Sequence, residues 1–309
     1  MVKNLAQKGH EVVVYDDLSK GHREAVLFGK LAVGDIGDET YLRKVIREFQ
    51  PQVVMHFAAF IEMAESVEKP AKYYENNVSK SIKMLKVLQE EGIKHIIFSS
   101  TAAVYGIPKS IPIPEDHPLQ PTNPYGWSKL MVERAIQDFS KAYGIRYAIL
   151  RYFNAAGADP LGRLGESHNP ETHLIPLVLM AASGRRKSIT IFGTDYPTPD
   201  GTAIRDYIHV EDLSDLHILA MDYIIETGEN LIANCGYGRG YSVKEVIETA
   251  RKVTGRDIRT IEGNRRPGDI PHLVADNTRI KDLFDWKPKF DDLEKIIETA
   301  WHWELHRKY

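Results

Sequence analysis

Tyr125 and Lys129 are the residues of this chain whose types and spacing point most directly to chemistry. They stand four apart in NPYGWSKLMVERAIQDFSKAYG, a stretch with helical apolar periodicity, so they share one helix face. An ammonium beside a phenol favours the phenolate and lowers the tyrosine from its usual ~10. Such a phenol can accept and return a proton near neutral pH. Ser99, Ser100 and Thr101 close the apolar run HIIFSST ahead of that helix and add a hydroxyl. A hydroxyl at a strand end followed by Tyr-x-x-x-Lys is the arrangement of a carbinol-oxidising site. The tyrosine–lysine spacing alone is a common chance match, so the surrounding elements must carry the case.

Those elements alternate. The runs EVVVYDD, KLAVGDI (30–36), QVVMHFAA (52–59), HIIFSST (95–101) and RYAILRYFNA (146–155) have strand length and are apolar on both faces. Helical patterns separate them: a short amphipathic one ending at Gly9, DETYLRKVIREFQ with Asp38 as N-cap and Pro51 as stop, a long one from Pro70 to Gly92, and the Tyr125 helix. Strands apolar on both faces with helices between them predict α/β architecture with a doubly wound parallel sheet. Ligands in such sheets bind beyond the carboxyl ends of the strands.

Residues with binding chemistry stand at those ends. Asp16 and Asp17 close EVVVYDD, where a carboxylate can accept hydrogen bonds from ribose hydroxyls and would repel a 2′-phosphate. As a cofactor contact that favours NAD; otherwise the two are solvated loop acids. Asp35 can reach an adenine edge or simply close a turn. Phe57, Ala58 and Ala59 follow the third of these strands and permit close backbone approach, or helix packing. Asn76 and Asn77 lie inside a long helical pattern, where asparagine is a poor helix former and implies a local hydrogen-bonding task.

Beyond Ala155 the texture changes. GADPLGRLGESHNPETH, rich in Gly, Pro and His, reads as an irregular binding loop. Smaller elements follow: a helix LIPLVLMAASG, a strand SITIFG, a helix from about 210 to 227, a strand LIANC and two C-terminal helices. We expect a first domain over 1–155 and a smaller C-terminal α/β substrate domain over 156–309, with part of 205–240 returning to the first. The glycine-dense CGYGRGY at 235–241 lacks the third glycine of a phosphate loop, and its expected role is a turn into a helix.

With 309 residues and a net charge of −3, nothing indicates attraction to nucleic acid or an anionic membrane. No apolar run approaches the ~20 residues of a membrane span. The basic block GRRK at 184–187 is short and reads as a solvated helix end. Cys235, alone of its kind, fits a reducing cytoplasm and a buried strand end. No metal-ligand set is expected.

The stretches VVVYDDLSKG, HFAAFIEMAESV, YYENNV, FSSTAAVYG, NPYGWSK, LRYFNAAGA, IFGTDYPTPDGTAIRDYIHVEDL and RPGD resemble the extended short-chain dehydrogenase/reductase family, specifically its UDP-glucose (UDP-galactose) 4-epimerases. The resemblance runs from about residue 4 to the C-terminus. It implies transient oxidation at sugar C4, rotation of a 4-keto intermediate and hydride return, with NAD held throughout. Tyr125, Lys129 and Thr101 would be catalytic. Asp16, Asp17, Leu18, Ser19, Lys20, Gly21, Asp35, Ile36, Phe57, Ala58, Ala59, Phe60, Ile61, Asn76 and Phe153 would line the cofactor. Asn154, His173, Leu174, Thr190, Phe192, Arg205, Tyr207, Arg266 and Asp269 would hold the UDP-sugar, the arginines through their planar forks. Many such epimerases carry Lys where Ile61 stands. Leu273 lies where the family varies residue size with acceptance of N-acetylated sugars, so UDP-N-acetylhexosamine and pentose substrates stay open. A homodimer, a cytoplasmic location and a part in galactose metabolism are also implied.

Related dehydratases and decarboxylases place an acid after the strand-end threonine or serine. Ala102 and Ala103 stand there instead and can move no proton. The family also begins with a strand and a G-x-x-G-x-x-G loop that do not precede HEVVVYDD. Loss of that central strand would leave two inner sheet edges unpaired. The expected natural start lies roughly fifteen residues earlier, the reach of one strand plus loop. The alternative is a non-catalytic nucleotide-sugar-binding relative, or an inactive fragment, unable to retain NAD.

Overall fold

The computed structural model describes residues 1–266 and 268–309; Pro267, within the RPGD stretch, lies outside them. In the first half, helix α1 (Val2–Gln7) leads to β1 (Val13–Asp16) and β2 (Lys30–Val33). Helix α2 (Glu39–Phe49) begins where the Asp38 side chain accepts from the Tyr41 N–H and ends at Gln50 in the left-handed region, just before Pro51. Then come β3 (Val53–His56), α3 (Met63–Glu68), α4 (Pro70–Tyr73) and α5 (Lys80–Glu90). Strand β4 (His95–Thr101), helix α6 (Pro124–Tyr143) and β5 (Arg146–Tyr152) complete this half.

Two of these spans differ from the sequence expectation. Between α4 and α5, Tyr74–Ser79 forms a π-helical turn. The Asn77 side chain explains the extra residue: it bonds the Phe60 N–H and carbonyl at 2.8 and 2.9 Å and the Ser128 Oγ at 3.0 Å. Such turns cluster at functional sites. The expected strand over 146–155 ends at Tyr152, and Asn154–Ala156 forms a separate strand, β6, in another sheet.

The second half contains α7 (Leu174–Ala182), β7 (Ile189–Phe192), β8 (Ile204–Arg205), β9 (Tyr207–His209), α8 (Val210–Thr227) and β10 (Leu231–Cys235). It ends with β11 (Tyr241–Ser242), α9 (Val243–Thr254), β12 (Thr260–Gly263), β13 (His272–Leu273), α10 (Thr278–Phe284) and α11 (Leu293–Leu305). No helix among the described residues is long and apolar enough to cross a membrane.

The chain divides into two compact units. The first comprises Met1–Ile107, Pro118–Tyr152 and Ser214–Ala233. Its strands run parallel, β1 with β2 and β3 with β4 with β5, and β10 flanks β5. Leu85, Leu88, Ile96, Phe98, Val132, Ile136 and Ile149 form its core between sheet and helices. Among the described residues β1 pairs only with β2, and β3 only with β4. These are the two inner edges singled out above. Both line one cavity of about 600 Å³, together with Leu5 and Ile225. That is why β1 stays half-buried despite its apolar sequence.

The second unit comprises Pro108–His117, Phe153–Leu213 and Asn234–Tyr309. Helices α7, α9 and α11 pack through Ile175, Val178, Leu179, Val246, Ile247, Ile296 and Ile297. Helix α9 starts in a capping box between Ser242 and Glu245, so the glycine-dense stretch before it is indeed a helix-leading turn. Asp206, fully buried, accepts from the backbone N–H groups of Tyr237, Gly238 and Ala275 and so ties three segments together. Of the GRRK block, Arg185 pairs with Glu304 and the rest is exposed. Cys235 is buried, which pushes its thiol well above the ordinary value and leaves it inert.

Candidate active site

The hydroxyl end of β4 meets the start of α6. Asn123 caps α6 by accepting from the Gly126 N–H, and Pro124 occupies the first helical position. That cap places Tyr125 in the first turn, 9% exposed, with the Thr101 hydroxyl close enough to its phenol to lower it. Gly126 is required for the approach, because a Cβ there would stand 2.8 Å from the Ala103 carbonyl oxygen.

Lys129 behaves differently from the sequence expectation. Its Nζ donates to the Ser99 carbonyl at 2.7 Å and lies 4.8 Å over the Phe98 ring. Burial lowers it to about 7, against which Glu133 acts weakly. Burial likewise raises the Tyr125 phenol, and the Thr101 hydroxyl offsets part of that rise. The expected depression of Tyr125 by Lys129 is therefore corrected: a desolvated lysine that loses its proton near neutrality offers the phenol little positive charge. Thr101 therefore stands nearer to the Tyr125 phenol's electrostatics than Lys129 does.

The Lys129 shift has a stability sign. Its folded value of about 7 lies below the ordinary 10.5, so between those values the unfolded chain binds the extra proton. The penalty is full below pH 7 and fades as pH rises toward 10.5. Lys129→Met is expected to raise unfolding free energy at pH 7 and to flatten a rise of about 1.4 kcal/mol per pH unit. Urea unfolding at pH 7 and 9 measures it; an unchanged slope would show that Lys129 is charged in the folded state.

The other first-unit candidates line the carboxyl ends of the same strands. Asp16 Oδ1 accepts from the Leu18 N–H and Asp17 Oδ1 from the Ser19 N–H, both at 2.8 Å, making a tight loop with Leu18 at φ 57°. Gly21 closes this loop: a Cβ there would lie 3.2 Å from Asp16 Oδ1. Lys20 reaches Glu62 at 3.6 Å. Asp35 accepts from the Gly37 N–H and pairs with Lys80; burial opposes its ionisation, but Lys80 and Gly37 outweigh that and hold it below its ordinary value. Ile36 follows directly.

Phe57 stacks against His217 at 5.2 Å and Phe60 against Tyr73 at 5.9 Å, while Ile61 is exposed. Between them Ala58 is exposed and Ala59 half-buried. Asn76 donates only to Asn77 Oδ1; the neighbour that sequence reasoning left out of the site, Asn77, holds the 60-loop to α6. Its signal was the doubled asparagine in a helix. Phe153 falls in the second unit, at the residue after β5.

The second-unit candidates form three groups. Arg205 is half-buried and stands 3.7 Å from Asp269, which also pairs with Arg266 at 3.2 Å. Arg266 in turn lies 4.7 Å over the Phe192 ring. Burial lowers the Arg205 guanidinium, an unusual cost that a bound anion would relieve. Thr190 precedes this cluster on β7, paired with Ile261. Asn154 and Tyr207 are register partners in the β6–β9 ladder, and burial pushes Tyr207 up to about 12. His173 caps α7, and Leu174 opens it against the core.

His173 also belongs to a cluster that the sequence reading missed. His168 and His173 converge on Glu166 and Glu171. The carboxylates raise His168 to about 9; burial opposes the same effect at His173, which still rises to about 10. The signal was the spacing Glu-x-His-x-x-Glu-x-His at 166–173.

A parallel α/β unit with a strand-end threonine beside a helical tyrosine and a buried lysine suits the removal and return of a secondary alcohol's proton. The chain belongs to the NAD dependent epimerase/dehydratase family, whose sequence model matches residues 1–236. It is 49% identical to the UDP-glucose 4-epimerase of Streptococcus mutans over 100% of this chain and 93% of that protein. The crystal structure of UDP-glucose 4-epimerase from Brucella ovis in complex with NAD superposes with a TM-score of 0.95 at 46% identity, over 98% of this chain and 94% of that one. The Bifidobacterium longum UDP-glucose 4-epimerase in complex with NAD+ and UDP gives 0.93 at 36% identity, over 98% and 93%.

The polar groups that suit the two ends of a dinucleotide are present, carboxylate acceptors at one and a lysine donor at the other. The Asp16 loop and Asp35 suit an adenosine, and buried Lys129 beside Tyr125 suits a nicotinamide ribose. A glycine-rich pyrophosphate loop is not among residues 1–309.

Proposed function

We propose that this protein is a UDP-glucose 4-epimerase that interconverts UDP-glucose and UDP-galactose with NAD as its resident cofactor. The observation that carries this is Tyr125, buried in the first turn of α6 beside the strand-end Thr101, with Ala102 and Ala103 following directly. Tyr125 takes the proton of the sugar 4-hydroxyl and later returns it. Thr101 holds the 4-oxygen in line with the phenol. Ala102 and Ala103 carry no acid or base, so the C5 proton stays in place and elimination does not compete. Bound NAD supplies the acceptor that takes the C4 hydride and gives it back.

Residues 1–155 hold NAD in this proposal, through the Asp16–Gly21 loop, Asp35, Ile36, Phe57 to Ile61, Asn76, Lys129 and Phe153. Residues 156–309 hold the UDP-sugar, and part of 205–240 serves the first domain. Arg205 and Arg266 suit the diphosphate: one is desolvated and the other shares its carboxylate partner. Asn154, His173, Leu174, Thr190, Phe192, Tyr207 and Asp269 complete that set. The location is the cytoplasm. The assembly is a homodimer, supported by Trp127 and Met131, which lie four apart on α6 and are 41% and 44% exposed.

Acid release of cofactor from the protein purified from its source is expected to yield close to one NAD per chain, and UDP-galactose to be converted to UDP-glucose. NAD retained without conversion would overturn the epimerase assignment. A chain that binds UDP yet holds no NAD would favour the non-catalytic relative instead.

A further inference from the structure

Four side chains from one eight-residue segment converge in the second unit with the donor atoms of a metal site. Glu166, His168, Glu171 and His173 each offer one ligand atom, and these atoms lie within 4.8 Å of one another. Glu166 Oε1 is 3.1 Å from His168 Nδ1 and 2.6 Å from His173 Nδ1. Glu171 stands 3.5 Å from His168 Nδ1 through Oε2 and 3.1 Å from His173 Nδ1 through Oε1.

Hydrogen bonding satisfies this arrangement poorly. Each Nδ1 can carry one hydrogen, yet each faces two carboxylate oxygens, so two hydrogens must serve four contacts. Glu171 Oε1 already accepts the backbone N–H groups of Thr172 and His173, both at 2.8 Å. Its other oxygen, Oε2, is buried and has no hydrogen-bond partner. Buried carboxylate oxygens seldom go unsatisfied, and one that does asks for a cation.

A single central cation resolves all four contacts. A tetrahedral zinc ion with bonds of about 2.0–2.1 Å places its ligands roughly 3.3 Å apart, and the four histidine–glutamate separations here run from 2.6 to 3.5 Å within a set that spans up to 4.8 Å. Two imidazoles and two carboxylates also balance a divalent charge. Mixed nitrogen and oxygen donors suit a first-row divalent ion more than calcium or magnesium, which prefer oxygen alone.

The frame that holds the ligands is built rather than incidental. The Glu166 carbonyl accepts from the Trp303 indole N–H at 2.9 Å. Gly165 lies so close to that ring that a Cβ would come within 2.1 Å of it. Arg307 donates to the Ser167 hydroxyl at 2.7 Å. His173 is itself the N-cap of α7. A cation here would therefore clamp the 166–173 loop between α11 and the start of α7.

We propose that Glu166, His168, Glu171 and His173 form a structural site for a divalent transition ion, zinc foremost. All four vertices come from the protein, so no position is left open for water; His173, given above to the UDP-sugar set, would meet the ion through Nδ1 and keep Nε2 for the sugar nucleotide, and the ion's role is to hold the loop that presents it.

The test uses the full chain after removal of metal with a chelator and dialysis. Titration with zinc is expected to load one ion per chain, and Co2+ in its place to give the intense visible absorption of tetrahedral coordination. His168→Gln and Glu171→Gln are each expected to weaken zinc binding 10- to 100-fold and to abolish the tetrahedral cobalt spectrum. Circular dichroism of both variants establishes that the fold persists, and the milder Glu171→Gln serves if His168→Gln does not fold. A wild-type chain that takes up no zinc would overturn the site. So would zinc binding of unchanged affinity in both variants, because the ion would then lie elsewhere.

Discussion

Tyr125→Phe is expected to lower kcat for UDP-galactose conversion by about 10²–10⁴ while the protein keeps its fold and binds UDP as before. The substitution removes one oxygen and leaves the ring in place, and that ring is 9% exposed and packed at the first turn of α6. Its structural cost is the loss of that hydroxyl's polar contacts, on the order of 1 kcal/mol. Its chemical cost is larger, because among the described residues Ala102 and Ala103 follow Thr101, the Ser100 hydroxyl donates to Glu133, and Lys129 is turned to the Ser99 carbonyl. Activity therefore separates from stability at this residue. Steady-state assays beside thermal melts measure both, and a variant that keeps most of its turnover would move the proton transfer to another group. Thr101→Val should lose less, because the hydroxyl positions the phenol and 4-oxygen but carries no net proton through the cycle.

Much of this site was legible from composition at strand and helix ends. Parallel strands buried on both faces appear as uninterrupted apolar runs, so HIIFSST was recognisable over its full length as β4. Caps carry their own chemistry, and Asp38, Asn123 and Gly144 mark helix ends that any sequence reader can locate. The ladders β8, β11 and β13 were not legible. Each is two residues long, too short to show periodicity, and each exists because Asp206 and its neighbours draw distant segments together. The π turn at Tyr74–Ser79 was half-legible: the two asparagines announced a hydrogen-bonding task, but which backbone Asn77 would reach depended on the 60-loop. The Lys129 protonation was misjudged for a related reason. Spacing on a helix tells which side chains are neighbours, whereas burial decides whether the neighbour keeps its charge, and burial is a property of the assembled unit.

Breaking the Arg151–Glu133 pair should be the most destabilising single change in the first unit. Arg151 on β5 is 2% exposed and Glu133 on α6 is fully buried. The guanidinium grips the carboxylate with two bonds, Nη2 to Oε2 at 2.7 Å and Nε to Oε1 at 3.0 Å. Its Nη1 donates to the Tyr105 hydroxyl at 3.0 Å, and Ser100 on β4 donates to the same carboxylate. Burial works against the charge on Arg151, yet Glu133 and Tyr105 raise the guanidinium above its ordinary value. Glu133→Leu would leave that guanidinium buried without its counter-charge, and the expected loss is about 3–5 kcal/mol of unfolding free energy. The double variant Glu133→Leu, Arg151→Met removes both charges and should recover most of that loss, because a buried pair contributes little beyond what apolar packing of the same volume supplies. Glu133 lies one turn beyond Lys129 on α6, and Ser100 adjoins Thr101, so the pair also fixes the tyrosine helix against the threonine strand. The double variant should consequently fold well but turn over more slowly than the parent. Urea unfolding of the three proteins with kcat measured in parallel decides this. If the double variant stays as unstable as the single one, the deficit lies in packing around α6 and β5 and the stranded charge is not its cause.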